Sequence, residues 1–472
     1  MISRARTPIT ARLFLVALAA VVLLVPAPAM AHAKLKRSSP SSGAQLSTAP
    51  ESIRLWFSEQ PELRFTFASL KDSAGNTIRL GNAEQEASDR MGVAFRVLTM
   101  LSPGRYTLFW RTAASDGHPS SGGFSFVVLA RGQSDRTAAR ARTSLGVSPS
   151  VAGKNTTPNQ QGRREEEANA ASSVGNSIAR AVLFLGLLAL IGAVSFTLVI
   201  LRRVNFAADL KERMSQRAAR LGMSAALLVI ITGLARLYLE SQMMHAMPDM
   251  EGMTGMTVGD MLMRTTWGLS LRIQLIAAVA ALVGFLLARR RADGGWLVAA
   301  VAAFVLSVTP ALGGHAAASP RFTSLMVTAD SLHVLAAGSW LGSLLCVMTV
   351  GVPIAMTLDD SGRWVSIASL VNAFSPLALI SAGVVVVTGT LASWVHLEHL
   401  AALWQTTYGQ VLLVKLLFVA ITFGIGAYNF RRVQPQLSNH VGTARLRRSA
   451  AAELATACLI LLVTGLLTGI SP

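Results

Sequence analysis

The amino-acid sequence predicts two parts: an all-β sandwich followed by an all-α polytopic membrane domain of eight transmembrane helices. Three observations carry this. The chain has 472 residues, of which 52% are hydrophobic and only 14% charged, yet the apolar residues concentrate after residue 175. Short alternating runs separated by turn residues fill the stretch from Ser52 to Val128. Basic residues gather in alternate gaps between the later apolar stretches.

The N-terminus carries Arg4, Arg6 and Arg12, then the apolar run Leu13 to Val25, then Ala29-Met30-Ala31. A basic start, a short apolar core and an A-x-A site form a secretory signal peptide, expected over residues 1–31. An uncleaved anchor is the alternative, but the run is short for a span. Cleavage after Ala31 makes His32 the first mature residue. A free α-amine titrates at about pH 8, and with the imidazole of the same residue it can chelate one ion. Both nitrogens suit Cu(II), which favours tetragonal N/O coordination.

The runs Ile53–Phe57, Phe65–Leu70, Val93–Val97, Tyr106–Trp110 and Gly123–Val128 alternate as strands do, and Asp72-Ser73-Ala74-Gly75-Asn76 reads as a turn between two of them. Many short strands with regular turn signals predict an antiparallel sandwich over residues 32–129. This portion has no cysteine, since Cys346 and Cys458 both fall in later apolar stretches, so any metal there takes His, carboxylate, Met or backbone groups. Ser115-Asp116-Gly117-His118-Pro119 lies between two strand patterns. Asp116 and His118 can point at one ion, and with the amine and ring of His32 they supply a square-planar Cu(II) set. Zinc competes for such residues but more often gathers a tetrahedron. An ordinary turn is the plain alternative for Asp-Gly-His-Pro.

The mature start His32-Ala33, the following Ser39-Pro40, and Asp116-Gly117-His118 before Gly123-Phe124-Ser125-Phe126-Val127-Val128 resemble the CopC copper-resistance family. That resemblance implies a periplasmic Greek-key, immunoglobulin-like sandwich that binds Cu(II) through the N-terminal His, an Asp and a second His. Some members carry a Met-rich loop for Cu(I); here the domain has only Met91 and Met100, which speaks against a Cu(I) site in it.

Residues 130–175, rich in Ala, Arg, Ser, Gln, Asn and Gly, read as a flexible tether. Beyond them, apolar stretches near 178–201, 218–239, 267–288, 295–312, 324–351, 366–395, 409–430 and 449–470 are each long enough to cross a bilayer. If the sandwich lies outside, the inner loops hold Arg202, Arg203, Lys211, Arg213, Arg217, Arg220, Arg289 to Arg291, Arg363, Arg431, Arg432, Arg445, Arg447 and Arg448, whereas the outer loops hold only Arg264 and Arg321. The positive-inside rule then puts the N-terminal domain and the C-terminus on the outer, periplasmic face of a bacterial inner membrane. The formal charge of +18 belongs to these loops, so nucleic acid is not an expected partner.

On that topology His245, His315, His396 and His399 fall at outer ends of spans, and only His440 lies inside. The outer loop adds Met243, Met244, Met247, Met250, Met253 and Met256, with Met261 and Met263 just beyond. Thioethers select Cu(I); an apolar loop resting on lipid is the alternative. His396-Leu397-Glu398-His399 can equally be an interfacial polar turn. Asp330 and His333 are one helical turn apart in the fifth stretch and share a face. Ionisable groups at that depth face a bundle interior or a polar pathway, for a metal or a proton, unless they merely lock helices together. Lys415 and Glu453 are weaker candidates of the same kind, while Arg236 with Glu240, and Arg272, read as structural pairs or headgroup anchors.

Thr309-Pro310-Ala311-Leu312-Gly313-Gly314-His315-Ala316 and the run Asp330 to Gly342 resemble the CopD copper-resistance family. So do Phe374-Ser375-Pro376 with Thr388-Gly389-Thr390, Thr407-Tyr408-Gly409-Gln410 with Lys415, and Ala427-Tyr428-Asn429, over nearly all of residues 176–472. The resemblance implies movement of copper across the inner membrane. The expected function is therefore copper capture and transfer in homeostasis or resistance, without catalysis. Copper ions and the lipid bilayer are the expected partners, with periplasmic copper chaperones as candidates. Two other readings stand beside it: a copper-dependent membrane-anchored redox enzyme, and a membrane redox protein with haem held by histidine. The sequence contains no phosphate-cradling loop to suggest ATP-driven pumping.

Overall fold

A computed structural model describes residues 35–58, 60–87, 89–113, 119–130, 160–245, 257–314, 323–397, 399–437 and 440–468. The chain divides into two compact units.

The first unit contains nine strands: β1 Leu35–Ser39, β2 Gln45–Leu46, β3 Ser52–Phe57, β4 Phe67–Asp72, β5 Thr77–Ile78, β6 Glu84–Gln85, β7 Gly92–Arg96, β8 Gly104–Ala113 and β9 Pro119–Val128. They form a four-stranded sheet in the order β1-β3-β7-β6 and a five-stranded sheet in the order β2-β9-β8-β4-β5. All pairs are antiparallel except the short β2–β9 pair. Alternation sets the inner face: Ile53, Leu55 and Phe57 are buried, while Arg54 between them is exposed. On the facing sheet Leu70, Tyr106, Leu108, Trp110, Phe124 and Phe126 close the same core. The expected sandwich is present. Gly122 lies opposite Trp110 in the β8–β9 ladder, and a Cβ there would stand 2.8 Å from the indole ring, so glycine is what lets that ring lie across β9.

The run expected as one strand from Phe65 opens instead with a 3-10 turn over Leu63–Phe65. Thr66 explains the delay. Its hydroxyl donates to the Glu62 carbonyl at 2.8 Å and lies 2.7 Å from the Thr112 hydroxyl, so regular pairing starts at Phe67.

Eight helices among the described residues are long and apolar enough to cross a membrane: Val174–Arg203, Ala208–Gln242, Thr266–Arg289, Gly295–Leu312, Thr323–Ala355, Gly362–Val395, Thr407–Gln436 and Val441–Leu467. They are called here the first to eighth spans. The helix of the first span reaches back to Gln160, into the stretch expected as a tether. Glu165 to Glu167 and the following alanines are strong helix formers, and they extend the span without apolar periodicity.

The first and fifth spans meet backbone to backbone. A Cβ on Gly192 would overlap Gly342, and one on Gly342 would overlap the Leu188 carbonyl. Gly338, one turn earlier on the fifth span, rests on Ile191, so small residues four apart form the contact surface. Beside this crossing both spans widen into π-turns, over Phe196–Ile200 and Gly338–Gly342. The Ser195 and Ser339 hydroxyls pair there at 3.1 Å.

Candidate metal centre

In the sandwich, the residues singled out for Cu(II), namely His32, Asp116 and His118, lie outside the described residues. The strands that lead to them are described. β8 and β9 pair without interruption to Ala113 and Pro119, so the segment carrying Asp116 and His118 joins two strand ends held side by side. Three residues before β1 stands His32, and β1 begins with Leu35 opposite Phe57. The Phe57 ring packs edge-on against Trp110 with centroids 5.1 Å apart. Trp110 lies three residues before the end of β8. One aromatic contact thus ties the start of β1 in one sheet to the hairpin end in the other.

Glu62 was not singled out from the sequence and sits at this same end through the Thr66–Thr112 pair. Burial raises its carboxyl above the ordinary carboxylate range, and Arg64 partly offsets this. No pattern of spacing marked it, because it enters through a 3-10 turn rather than a strand.

In the bundle, the structure brings together groups from three spans. His333 of the fifth span places Nδ1 2.9 Å from the Thr388 hydroxyl of the sixth. That hydroxyl donates to the Val384 carbonyl at 2.7 Å, and the Val385 backbone also hydrogen-bonds the imidazole. A ring anchored in this way has a fixed orientation, the arrangement found behind metal-ligating histidines. Asp330, one turn away, acts electrostatically on both Tyr408 and Lys415 of the seventh span, and Lys415 acts on His333. The Asp330–Lys415 attraction balances charge in a setting where a lone ion would be costly. Thr388 and Tyr408 were legible only as parts of longer motifs; neither residue type announces a site alone.

Met247, Met250, Met253, Met256 and His315 lie outside the described residues. Met243, Met244 and His245 end the helix of the second span, and His396 ends that of the sixth. His399 is exposed in the following turn, where its carbonyl accepts from the Ala402 N–H at 3.0 Å. Among the described residues, no three His, Cys, Asp or Glu side chains come together as a metal-binding group. Arg236 lies over the Trp267 ring at 5.9 Å. Past the Met-rich segment, Thr257 and Asp260 cap a short helix, Val258–Arg264, each accepting from the other's backbone N–H.

Three family models match the chain in succession. The CopC domain covers residues 35–129, the copper resistance protein D-like N-terminal domain residues 171–320, and copper resistance protein D residues 368–467. The chain belongs to the CopC–CopD copper-resistance family. Copper transport protein CutJ of Bacillus subtilis is 24% identical over 460 residues, covering 95% of this chain and 76% of that protein. Copper resistance protein C of Pseudomonas syringae is 33% identical over 118 residues, 24% of this chain and 93% of its own length. Protein YobA of Escherichia coli is 32% identical over 120 residues, 25% of this chain and 97% of its own. Among solved structures, CopC from Methylosinus trichosporium is 26% identical, with a TM-score of 0.20, over 21% of this chain and 94% of that one. PcoC, a methionine-rich copper resistance protein from Escherichia coli, is 30% identical, with a TM-score of 0.19, over 21% and 99%. The CopC and CopD matches lie in one chain here.

Proposed function

We propose that the CopC domain captures Cu(II) at His32, Asp116 and His118 on the outer face of a bacterial inner membrane, and that the CopD domain carries copper across. The aromatic contact between Phe57 and Trp110 carries the capture half. It ties the start of β1 to the hairpin end at which Asp116 and His118 enter. Two imidazoles, an α-amine and a carboxylate then supply a tetragonal set. The signal-peptide pattern and the inner-loop arginines support the orientation.

From there copper passes to His245, the Met243–Met256 thioethers, His315, His396 and His399 at the outer ends of the spans. It then reaches Asp330 and His333. Thioethers select Cu(I), so these sulfurs suit copper that reaches them in that state. His333, with its ring fixed by Thr388, is the station inside the bundle, and Asp330 offsets the charge that Lys415 and an arriving cation share.

Electron paramagnetic resonance of the mature full-length protein with one equivalent of Cu(II) tests the capture step. A tetragonal signal with nitrogen splittings is expected, and His32→Ala and His118→Ala each disrupt it. An unchanged signal in both variants overturns the site.

A further inference from the structure

The eighth span buries a carboxylate that the copper path does not use. Glu453 is 3% exposed and accepts from Asn429 Nδ2 of the seventh span at 3.0 Å. The Trp340 indole, from the π-turn of the fifth span, hydrogen-bonds the same carboxyl group. Trp340 in turn packs on Phe423 with ring centroids 5.1 Å apart, which closes the apolar wall of the site. Among the described residues, the buried Asn429 Oδ1 has no hydrogen-bond partner.

These facts fit a carboxyl that carries a proton. Both partners of Glu453 are neutral donors, and no cation is among them. On its own helix the nearest charges are Arg447 and Arg448, at the cytoplasmic end on the proposed topology. The seventh span contributes Lys415, fourteen residues before Asn429, and Arg431 and Arg432 just beyond it. Cys346 is the titratable side chain beyond Trp340 on the fifth span, and the helix of the sixth span has Asp360, Arg363 and His396 towards its ends. An isolated carboxylate is costly in such a place, whereas a carboxylic acid is both donor and acceptor. An amide is its complement: one N–H to give and one oxygen to receive. The acid form therefore offers the donor that the Asn429 amide lacks, and the ionised form does not.

We propose that Glu453, Asn429 and Trp340 form a proton-binding station of the membrane domain, and that Glu453 gives up its proton when a copper cation enters the bundle. Trp340 stands seven residues beyond His333 on the same helix, about 10 Å deeper along its axis. A cation at His333 and a proton at Glu453 thus occupy successive levels of one bundle. Releasing the proton as the cation arrives, and regaining it as the cation leaves, keeps the charge in the apolar interior constant. The coupling rests on the transport reading given above; the proton site does not.

Infrared difference spectroscopy of the full-length protein in liposomes, with copper chloride and ascorbate added, tests this, together with a pH-sensitive dye inside the vesicles. The expected result is a protonated-carboxyl band that shifts in heavy water and is absent from Glu453→Gln. The band should bleach on copper addition, and the dye response to copper should fall at least ten-fold in Glu453→Gln. If that variant does not fold, Trp340→Phe removes the indole N–H while keeping an aromatic ring beside Phe423, and it should move the band. A carboxylate signature alone, or a band that copper and Trp340→Phe both leave unchanged, overturns the proposal. If the wild-type vesicles take up no copper, the transport reading and the coupling fall, and the band still decides the proton site.

Discussion

The sandwich is held together by its largest side chains, and the crossing of the first and fifth spans by the absence of side chains. In the sandwich, Phe57, Phe95, Phe126 and Leu108 are buried to 2% exposure or less and interdigitate between two sheets. In the bundle, Gly192 and Gly342 let two helix backbones touch. The difference follows from the solvent. Water drives large apolar groups together, at roughly 25 cal/mol per Å². Lipid does not, because it is as apolar as the side chains, so helices gain by close packing and by polar links such as Ser195–Ser339.

Opposite substitutions should therefore break the two parts. Phe126→Ala leaves a cavity at the centre of the sandwich, with an expected loss of about 3–5 kcal/mol. Thermal unfolding followed by circular dichroism should show an early near-ultraviolet transition that leaves the far-ultraviolet helical signal intact. If the helical signal fell in the same step, the parts would not be independently built. The converse is Gly342→Leu, where a side chain must occupy the space of the Leu188 carbonyl. The expected cost is about 3 kcal/mol or more. The variant should be recovered poorly as a folded membrane protein, while Cu(II) binding by its sandwich persists.

The comparison extends to where chemistry is kept. The proposed Cu(II) ligands of the sandwich belong to segments that adjoin β1, β8 and β9, a regular frame. The bundle must hold each ionisable group against a partner: His333 against Thr388, Glu453 against Asn429. Thr388→Val sharpens this point. It removes the anchor from Nδ1 and leaves the imidazole in place, so copper uptake into vesicles should fall by about ten-fold, against near-complete loss in His333→Ala. The Cu(II) resonance of the sandwich should be the same in both variants. Equal loss in the two would make Thr388 a ligand or a structural residue instead of a positioning one.

What could be read in the sequence divides along the same line. Period-two alternation located the buried faces of β3, β8 and β9 because one face meets water, and apolar length located all eight spans because lipid demands it. Asp330 and His333 were visible as charges out of place. Thr388, Tyr408 and Asn429 were not, since a hydroxyl or amide within a span is common and its role depends on which helix faces it. Gly342 carries no local signal either. Its meaning lies in Leu188 and Gly192, some 150 residues earlier in the chain. The delayed start of β4 shows the same limit, for Thr66 is held by Thr112 across the sheet.

The smallest expected effect lies in a turn that was legible in full. Asp72 accepts from the N–H of Ala74 at 2.9 Å and of Asn76 at 2.8 Å, and from Asn76 Nδ2 at 2.9 Å, while Gly75 takes φ +88°. The Asn76 side chain, then its backbone N–H, hold the Asp72 carboxyl below the usual range. Since the folded value is lowered, the turn gains stability above the unfolded value of about 3.9, and loses it as pH falls through the folded one. Hydrogen exchange of peptides spanning residues 70–78 reads this directly. Asp72→Ala should exchange faster than wild type at pH 7, and the two should converge in acid once pH has fallen below the lowered folded value. Because the carboxyl is exposed, the difference should stay confined to the β4–β5 turn, without reaching the sandwich core or the helices. A difference that persisted in acid would mean that the turn is held by its backbone alone, with glycine at the left-handed position doing what is here assigned to the carboxylate.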